Sequence, residues 1–208
     1  MNRFQKLNTR FNGYLPIVVD VETAGINPIT DALLEIACVF LEMDQEGILN
    51  PKKTVSYHIL PFEGANLDLK ALEINQILDP YHPFRFAKTE LETLTELFEL
   101  INQELKQTQC RRAVLVGHNA NFDLSFIQAA AKRCKLRNPF HRFTCFDTAT
   151  LAGLAFGQTI LAKALHVAKI KFDVKEAHSA IYDAEKTTEL FCKIVNEYRQ
   201  KTEGRGQE

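Results

Sequence analysis

The sequence of 208 residues has no long hydrophobic run, no paired-cysteine motif and almost no net charge. Its longest uninterrupted apolar stretch spans residues 36–41, far short of the ~18 residues that a membrane-spanning helix needs. The first residues are polar and basic and lack the apolar core of a signal peptide. We therefore expect a cytoplasmic protein without a membrane partner.

The five cysteines are widely spread, and no two form a C-x-x-C pair, so neither a zinc knuckle nor a disulfide framework is indicated. With 25 basic and 26 acidic residues, the formal charge of −1 neither requires nor excludes a nucleic-acid partner. The chain shows no repeat and no low-complexity linker. We expect one domain over residues 1–208, with a polar tail at 201–208 that frays.

The hydrophobic pattern predicts an α/β fold in which helices flank a mixed β-sheet. Three leading strands, separated by Gly, Asn and Pro turns, predict an antiparallel meander, and two further strands alternate with helices. The strands are predicted at residues 16–21, 33–43, 54–60, 113–116 and 144–147. The helices are predicted at residues 68–77, 90–106 after a Thr89 N-cap, 122–132 after an Asn121 N-cap, on both sides of Gly157, and 179–200.

Two acids, Asp20 and Glu22, stand in the first predicted strand. Alternate residues of a strand point to the same face, so both carboxylates lie on one side of the sheet. Such a pair is repulsive unless a proton or a cation intervenes, and hard divalent cations prefer oxygen ligands. A charged strand end exposed to water explains the pair equally well when it is considered alone.

Further acids begin two later helices. Asp123 falls in the first turn after a buried strand, the edge where sites of α/β sheets form, although an acid there also complements the helix dipole. His178 and Asp183 are five positions apart, which on one helix separates their directions by roughly 140°. They can converge if His178 lies in the preceding loop and Ser179 caps the helix.

The order D-x-E, N-x-x-x-D, H-x-x-x-x-D resembles the DEDD exonuclease superfamily, and its histidine resembles the DEDDh branch. Longer strings cover nearly the whole chain and are similar to the ribonuclease T family of bacteria. They are DVETAG at 20–25, HNANFD at 118–123, RNPFH at 137–141, FDTATLAG at 146–153 and AHSAIYD at 177–183.

This resemblance implies a ribonuclease-H-like fold, a homodimer and a 3′-to-5′ exoribonuclease that trims the 3′ ends of tRNA and other stable RNA precursors to release nucleoside 5′-monophosphates. It implies two Mg²⁺ ions, for which Mn²⁺ can substitute, held by Asp20, Glu22, Asp123 and Asp183. Two metals can stabilise both oxygens of an in-line displacement. His178 suits the role of general base, since imidazole titrates near neutral pH.

Candidate RNA contacts come from aromatic and basic residues. Phe122 and Phe143 match stacking positions of the family, and Ile26 and Ile74 stand where it has phenylalanine, so apolar contact with a base is expected there. Lys70 stands in place of an acid, which puts an inherited base preference in doubt. Arg10 and Arg137 belong to basic clusters that in a dimer lead RNA into the partner's acidic site. The clusters comprise Arg3, Lys6 and Arg10, then Arg111 and Arg112, then Lys132, Arg133, Lys135 and Arg137.

Two other readings stay open. A DEDDh proofreading or repair exonuclease would act on DNA 3′ ends, and no residue reads a 2′-hydroxyl unambiguously. A non-catalytic RNA-binding module on the same fold is the other, but such a module is expected to lose acids that this chain keeps.

Overall fold

The computed structural model describes residues 6–204 of the chain, with side chains through residue 199. Its centre is one mixed sheet of five strands in the order β3-β2-β1-β4-β5. The first three strands are antiparallel, and β4 and β5 run parallel to β1. The strands are β1 Tyr14–Thr23, β2 Leu33–Met43, β3 Leu49–His58, β4 Arg112–Gly117 and β5 Phe140–Asp147. The predicted mixed α/β sheet is confirmed.

The seven helices of the described part alternate with the later strands. They are α1 Leu7–Arg10, α2 Leu69–Ile74, α3 Glu90–Thr108, α4 Asn121–Arg133, α5 Thr148–Phe156, α6 Leu161–Val167 and α7 Ala180–Gly204. β1 is buried along most of its length on both faces, because helices cover both sides of the sheet. None of the helices described is both long and apolar enough to cross a membrane.

Helix starts follow local chemistry in one case and tertiary contacts in another. Thr89 caps α3 in a capping box with Glu92, as the sequence predicts. The predicted Asn121 cap is wrong, because Asn121 is already helical and Ala120 precedes it without a side-chain bond. Instead, Asp147 at the end of β5 caps the turn before α4, where its Oδ1 accepts a hydrogen bond from the backbone N of Asn119 at 2.8 Å.

Several boundaries differ from the predicted ones. β3 begins at Leu49, so Pro51 lies inside a strand, which is tolerated because β3 is the edge of the sheet and the register shifts opposite it. Helix α7 continues to Gly204, past the predicted end at residue 200. Residues 205–208 of the predicted frayed tail lie outside the described residues.

Candidate active site

Asp20 and Glu22 lie near the carboxyl end of β1, on the same face of the sheet. In the antiparallel ladder with β2, Asp20 is opposite Ala37 and Glu22 is opposite Glu35. Glu22 is buried, with 7% of its surface exposed, and Asp20 is half-buried. The two carboxylates therefore sit side by side, largely withdrawn from water.

Asp123, in the first turn of α4, packs against this strand end. Its Oδ1 accepts a hydrogen bond from the backbone N of Val21 at 3.1 Å. That N–H is free of the sheet because β4 pairs with β1 only as far as Val18. Gly117 allows the approach, since a Cβ at this position would lie 3.2 Å from Asp123 Oδ2 and 3.1 Å from the Cα of Ala120.

Asp183 and His178 complete the group from the start of α7. His178 lies in the preceding loop with a left-handed φ of 65°, and its backbone N donates to Asp183 Oδ2 at 2.9 Å. Ligand atoms of Glu22, His178 and Asp183 lie within 4.8 Å of one another. His178 therefore lies in the loop before the helix, as predicted for the H-x-x-x-x-D pattern, and the helix begins at Ala180.

The four carboxylates destabilise one another as anions. Burial, followed by the charges of Asp183, Glu35 and Asp123, raises the pKa of Glu22 to about 8. Burial also raises the pKa of Asp123 to about 8, although the Val21 N–H bond opposes it. The pKa of Asp20 is raised by burial and then by Asp123. Burial and mutual repulsion thus favour a proton or a cation at these carboxylates.

These residues fit a divalent metal. Burial raises the pKa of Asp183, partly offset by His178, and Asp183 Oδ1 is buried without a hydrogen-bond partner. An orphaned carboxylate oxygen among repelling carboxylates is the donor set that a hard cation satisfies. Glu22, Asp123 and Asp183, with Asp20 beside them, are the residues that could hold it.

Glu35 is a fifth acid that the sequence analysis missed. It faces Glu22 across the β1–β2 ladder, and its Oε1 lies 2.8 Å from His58 Nδ1 and 3.7 Å from an Arg85 guanidinium nitrogen. Its charge is among the causes that raise the pKa of Glu22 and of Asp20. The alternation of side chains along β2 predicts which residues share a face with Glu35. Only the register of β1 with β2 places Glu35 opposite Glu22.

His118, the first residue of the HNANFD string, has a structural role. Its Nε2 lies 2.8 Å from the carbonyl O of Thr159, so this nitrogen donates, and its Nδ1 lies 3.0 Å from the Thr148 hydroxyl. Burial lowers the pKa of His118, and the neutral ring is thereby fixed between two elements. His118 therefore anchors the loop that places Asp123.

The four apolar residues proposed to contact RNA are all exposed. Phe143 is 76% exposed and Ile26 86%, so neither is a core residue. Phe122, beside Asp123, is 36% exposed, and Ile74 is 57% exposed. Helix α2, which carries Ile74, docks at the end of β1 through Asn75, whose side-chain N donates to the Thr23 carbonyl at 2.9 Å.

The basic clusters are only partly available to a ligand. Arg137 is exposed, whereas Arg10 is half-buried and donates to the Val195 carbonyl at 3.3 Å. Arg133 pairs with Glu90 at 2.7 Å and Arg112 donates to two backbone carbonyls, so these two arginines hold the fold together. Their part in an RNA-guiding surface stays a prediction. Arg3 lies outside the described residues.

Comparison with known proteins shows the class to which this geometry belongs. A family model for exonucleases of the ribonuclease T type matches residues 17–191. Among solved structures, the nuclease domain of 3′hExo, described as a DEDDh family member bound to rAMP, superposes with a TM-score of 0.70 at 16% identity over 88% of this chain and 92% of that one. E. coli exonuclease I with a dT13 oligonucleotide gives 0.64 at 17% identity over 86% of this chain and 40% of that one. The chain belongs to the exonuclease family.

Curated proteins of similar sequence indicate which kind of exonuclease this chain is. Ribonuclease T of Vibrio parahaemolyticus is 58% identical over 95% of this chain and 93% of its own length. Ribonuclease T of Shewanella baltica is 55% identical over 93% of this chain and 87% of its own length. The chain is accordingly a 3′-to-5′ exoribonuclease of the DEDDh branch, and the predicted family, fold and enzyme class are confirmed.

Proposed function

We propose that this exoribonuclease depends on Mg²⁺, with Asp20, Glu22, Asp123 and Asp183 as ligands of two ions and His178 as general base. The observation that carries the proposal is the convergence of four carboxylates from β1, α4 and α7 with Asp183 Oδ1 unpartnered. When bound, the ions would supply Lewis-acid stabilisation of the phosphodiester oxygens. Mn²⁺ can take the place of Mg²⁺ because it accepts the same oxygen donors.

His178 is suited to take a proton from the attacking water. Its imidazole is exposed, its backbone N donates to Asp183, and a ring nitrogen lies within 4.8 Å of carboxylate oxygens of Glu22 and Asp183. The base must be neutral to act, so activity falls as the ring protonates. The terminal nucleotide leaves as a nucleoside 5′-monophosphate.

The substrates we propose are the 3′ ends of tRNA and other stable RNA precursors, in the cytoplasm, with DNA 3′ ends as a second substrate class. Support comes from the relatives named ribonuclease T and from four exposed apolar side chains, one of them next to Asp123 in the chain, which suit unpaired terminal bases. Phe122, Phe143, Ile26 and Ile74 form that contact, and Lys70 is exposed on the same α2 helix as Ile74.

We propose a single exonuclease domain that works as a homodimer, with exposed basic residues of one subunit guiding RNA to the other. After the structural arginines are set aside, Lys132, Lys135 and Arg137 are the exposed members of the third cluster. A Lys135→Ala/Arg137→Ala chain mixed with an Asp183→Asn chain should recover part of the activity in mixed dimers. Full activity of a verified monomer would contradict this arrangement.

The decisive experiment compares matched RNA and DNA oligonucleotides, labelled at the 5′ end, with Mg²⁺, with Mn²⁺ and in excess chelator. We expect stepwise shortening from the 3′ end, faster on RNA, and none in chelator. Asp20→Asn should abolish hydrolysis, while Glu42→Gln, at an exposed β2 glutamate, should leave it unchanged. Turnover in chelator or in Asp20→Asn would refute the metal assignment. Binding without cleavage by the wild type would favour the non-catalytic module.

A further inference from the structure

A second group of exposed apolar side chains contains none of the four apolar residues already assigned to RNA. It is formed by residues 78–86, which we name the aromatic loop. Leu78 is 75% exposed, Tyr81 58%, Phe84 80% and Phe86 82%. Single exposed apolar side chains are ordinary, but four within nine consecutive residues form a patch that indicates a ligand.

The loop is held in one shape although its side chains face water. The Arg85 guanidinium donates to the Pro80 carbonyl at 2.7 Å and to the Leu34 carbonyl at 3.0 Å. Phe86 adopts a left-handed φ of 47° at the end of the 3₁₀ turn Pro83–Arg85. The rings of Phe84 and His82 meet edge-on at 5.3 Å. The exposed rings are thus presented by a fixed backbone rather than by a collapsed segment.

A cavity of about 570 Å³ joins the aromatic loop to the active site. Leu78, His82 and Arg85 of the loop line it, together with Lys175 and His178. Phe84 and Phe86 are the chain neighbours of Arg85, one of these lining residues. Because His178 belongs to both the cavity and the carboxylate group, the cavity connects the active site with the part of the loop that carries these rings.

We propose that the aromatic loop binds unpaired bases of the RNA outside its terminal nucleotides, by stacking on Phe84, Phe86 and Tyr81. This goes beyond the established class and gives the enzyme a second contact with single-stranded substrate. Aromatic faces suit the task because every base has a π-face, which makes stacking tolerant of sequence.

The charges that line the cavity favour contacts with bases over contacts with phosphates. Lys175 and Arg85 attract phosphate, but Asp79, Glu176 and Glu35 line the same cavity and oppose it. The contribution of the loop is therefore carried by bases and depends weakly on salt, unlike phosphate contacts.

Tryptophan fluorescence provides a direct test, because the chain contains no tryptophan. Phe84→Trp creates a single reporter on the loop, and Leu154→Trp, at a leucine 87% exposed on α5 and outside the cavity lining, creates the matched control. With Ca²⁺ replacing Mg²⁺ to limit cleavage, an oligo(A) of about twelve nucleotides should quench Phe84→Trp and not Leu154→Trp. Equal quenching of both, or of neither, would overturn the proposal.

Measurements of affinity and of turnover distinguish an effect at the aromatic loop from an effect at the catalytic centre. Phe84→Ala/Phe86→Ala should weaken oligo(A) binding by about fivefold or more, with a similar factor at about 50 and about 200 mM salt. Hydrolysis of a dinucleotide, which is too short to reach the loop, should be unchanged, and this control also shows that the exonuclease itself is intact. Leu154→Ala should bind as the wild type does.

Three outcomes would contradict the proposal. An unchanged affinity for oligo(A) would show that the rings make no contact with bases. An equal loss on the dinucleotide would place the effect at the active site. A variant that becomes monomeric while retaining its affinity would make the patch a subunit interface, which gel filtration of the same samples detects.

Discussion

Replacing Glu22 by glutamine should stabilise the metal-free protein at neutral and alkaline pH. Glu22 is buried, and its pKa rises from 4.5 in an unperturbed side chain to about 8 in the fold. Between these values the folded chain retains a proton that the unfolded chain has released. The stability that Glu22 contributes is therefore present below pH 4.5 and is lost as the pH rises through about 8.

The size of this effect follows from the two pKa values. Each pH unit between these two pKa values lowers the free energy of unfolding by about 1.4 kcal/mol. The loss of stability therefore reaches about 3 kcal/mol at pH 7 and somewhat more at pH 8. Glutamine has no proton to lose and keeps nearly the same volume. It also removes one of the charges that raise the pKa of Asp20.

The assay is urea unfolding in chelator at several pH values between about 5 and about 8. Glu22→Gln should exceed the wild type in unfolding free energy by less than about 1 kcal/mol near pH 5 and by about 4 kcal/mol near pH 8. Added Mg²⁺ should stabilise the wild type most at high pH and the variant far less, because metal replaces the proton as counterion. Glu42→Gln, at the exposed β2 glutamate, is the control and should show no such pH dependence. A variant that is less stable than the wild type throughout, or by an amount independent of pH, would refute the reasoning.

Three further predictions concern single side chains. His178→Ala should reduce kcat by about 10²–10⁴-fold, as expected for loss of a general base, while Ca²⁺ still stabilises the protein; a retained rate with an unchanged acidic limb of the pH–rate profile would exclude His178 as base. Phe143→Ala should weaken binding of single-stranded 3′ ends by about 1–3 kcal/mol in Ca²⁺ without lowering Tm, and a large fall in Tm at normal affinity would make the ring structural. Glu35→Gln should weaken Mg²⁺ binding measured by titration calorimetry, since it removes a charge opposite Glu22 while its carbonyl still accepts from His58; unchanged affinity would show that Glu35 does not act on the metal site.

The sequence alone predicted the five strands and the four motif acids, but not Glu35. Strand periodicity places Asp20 and Glu22 on one face, because alternate side chains of any strand share a side. The Thr89 capping box is equally local, since it depends on residues within one helical turn. The family motifs then identified the enzyme class.

Only the tertiary structure decided which distant groups meet. Glu35 reaches Glu22 through the register of β1 with β2, and Asp147 caps the turn before α4 from the end of β5. The sequence also could not show that the Arg133 guanidinium donates to Glu90, 43 positions away, and lies over the ring of Phe62. Local periodicity carries information over a few residues, whereas these contacts join segments that become neighbours only when the sheet and its helices have assembled.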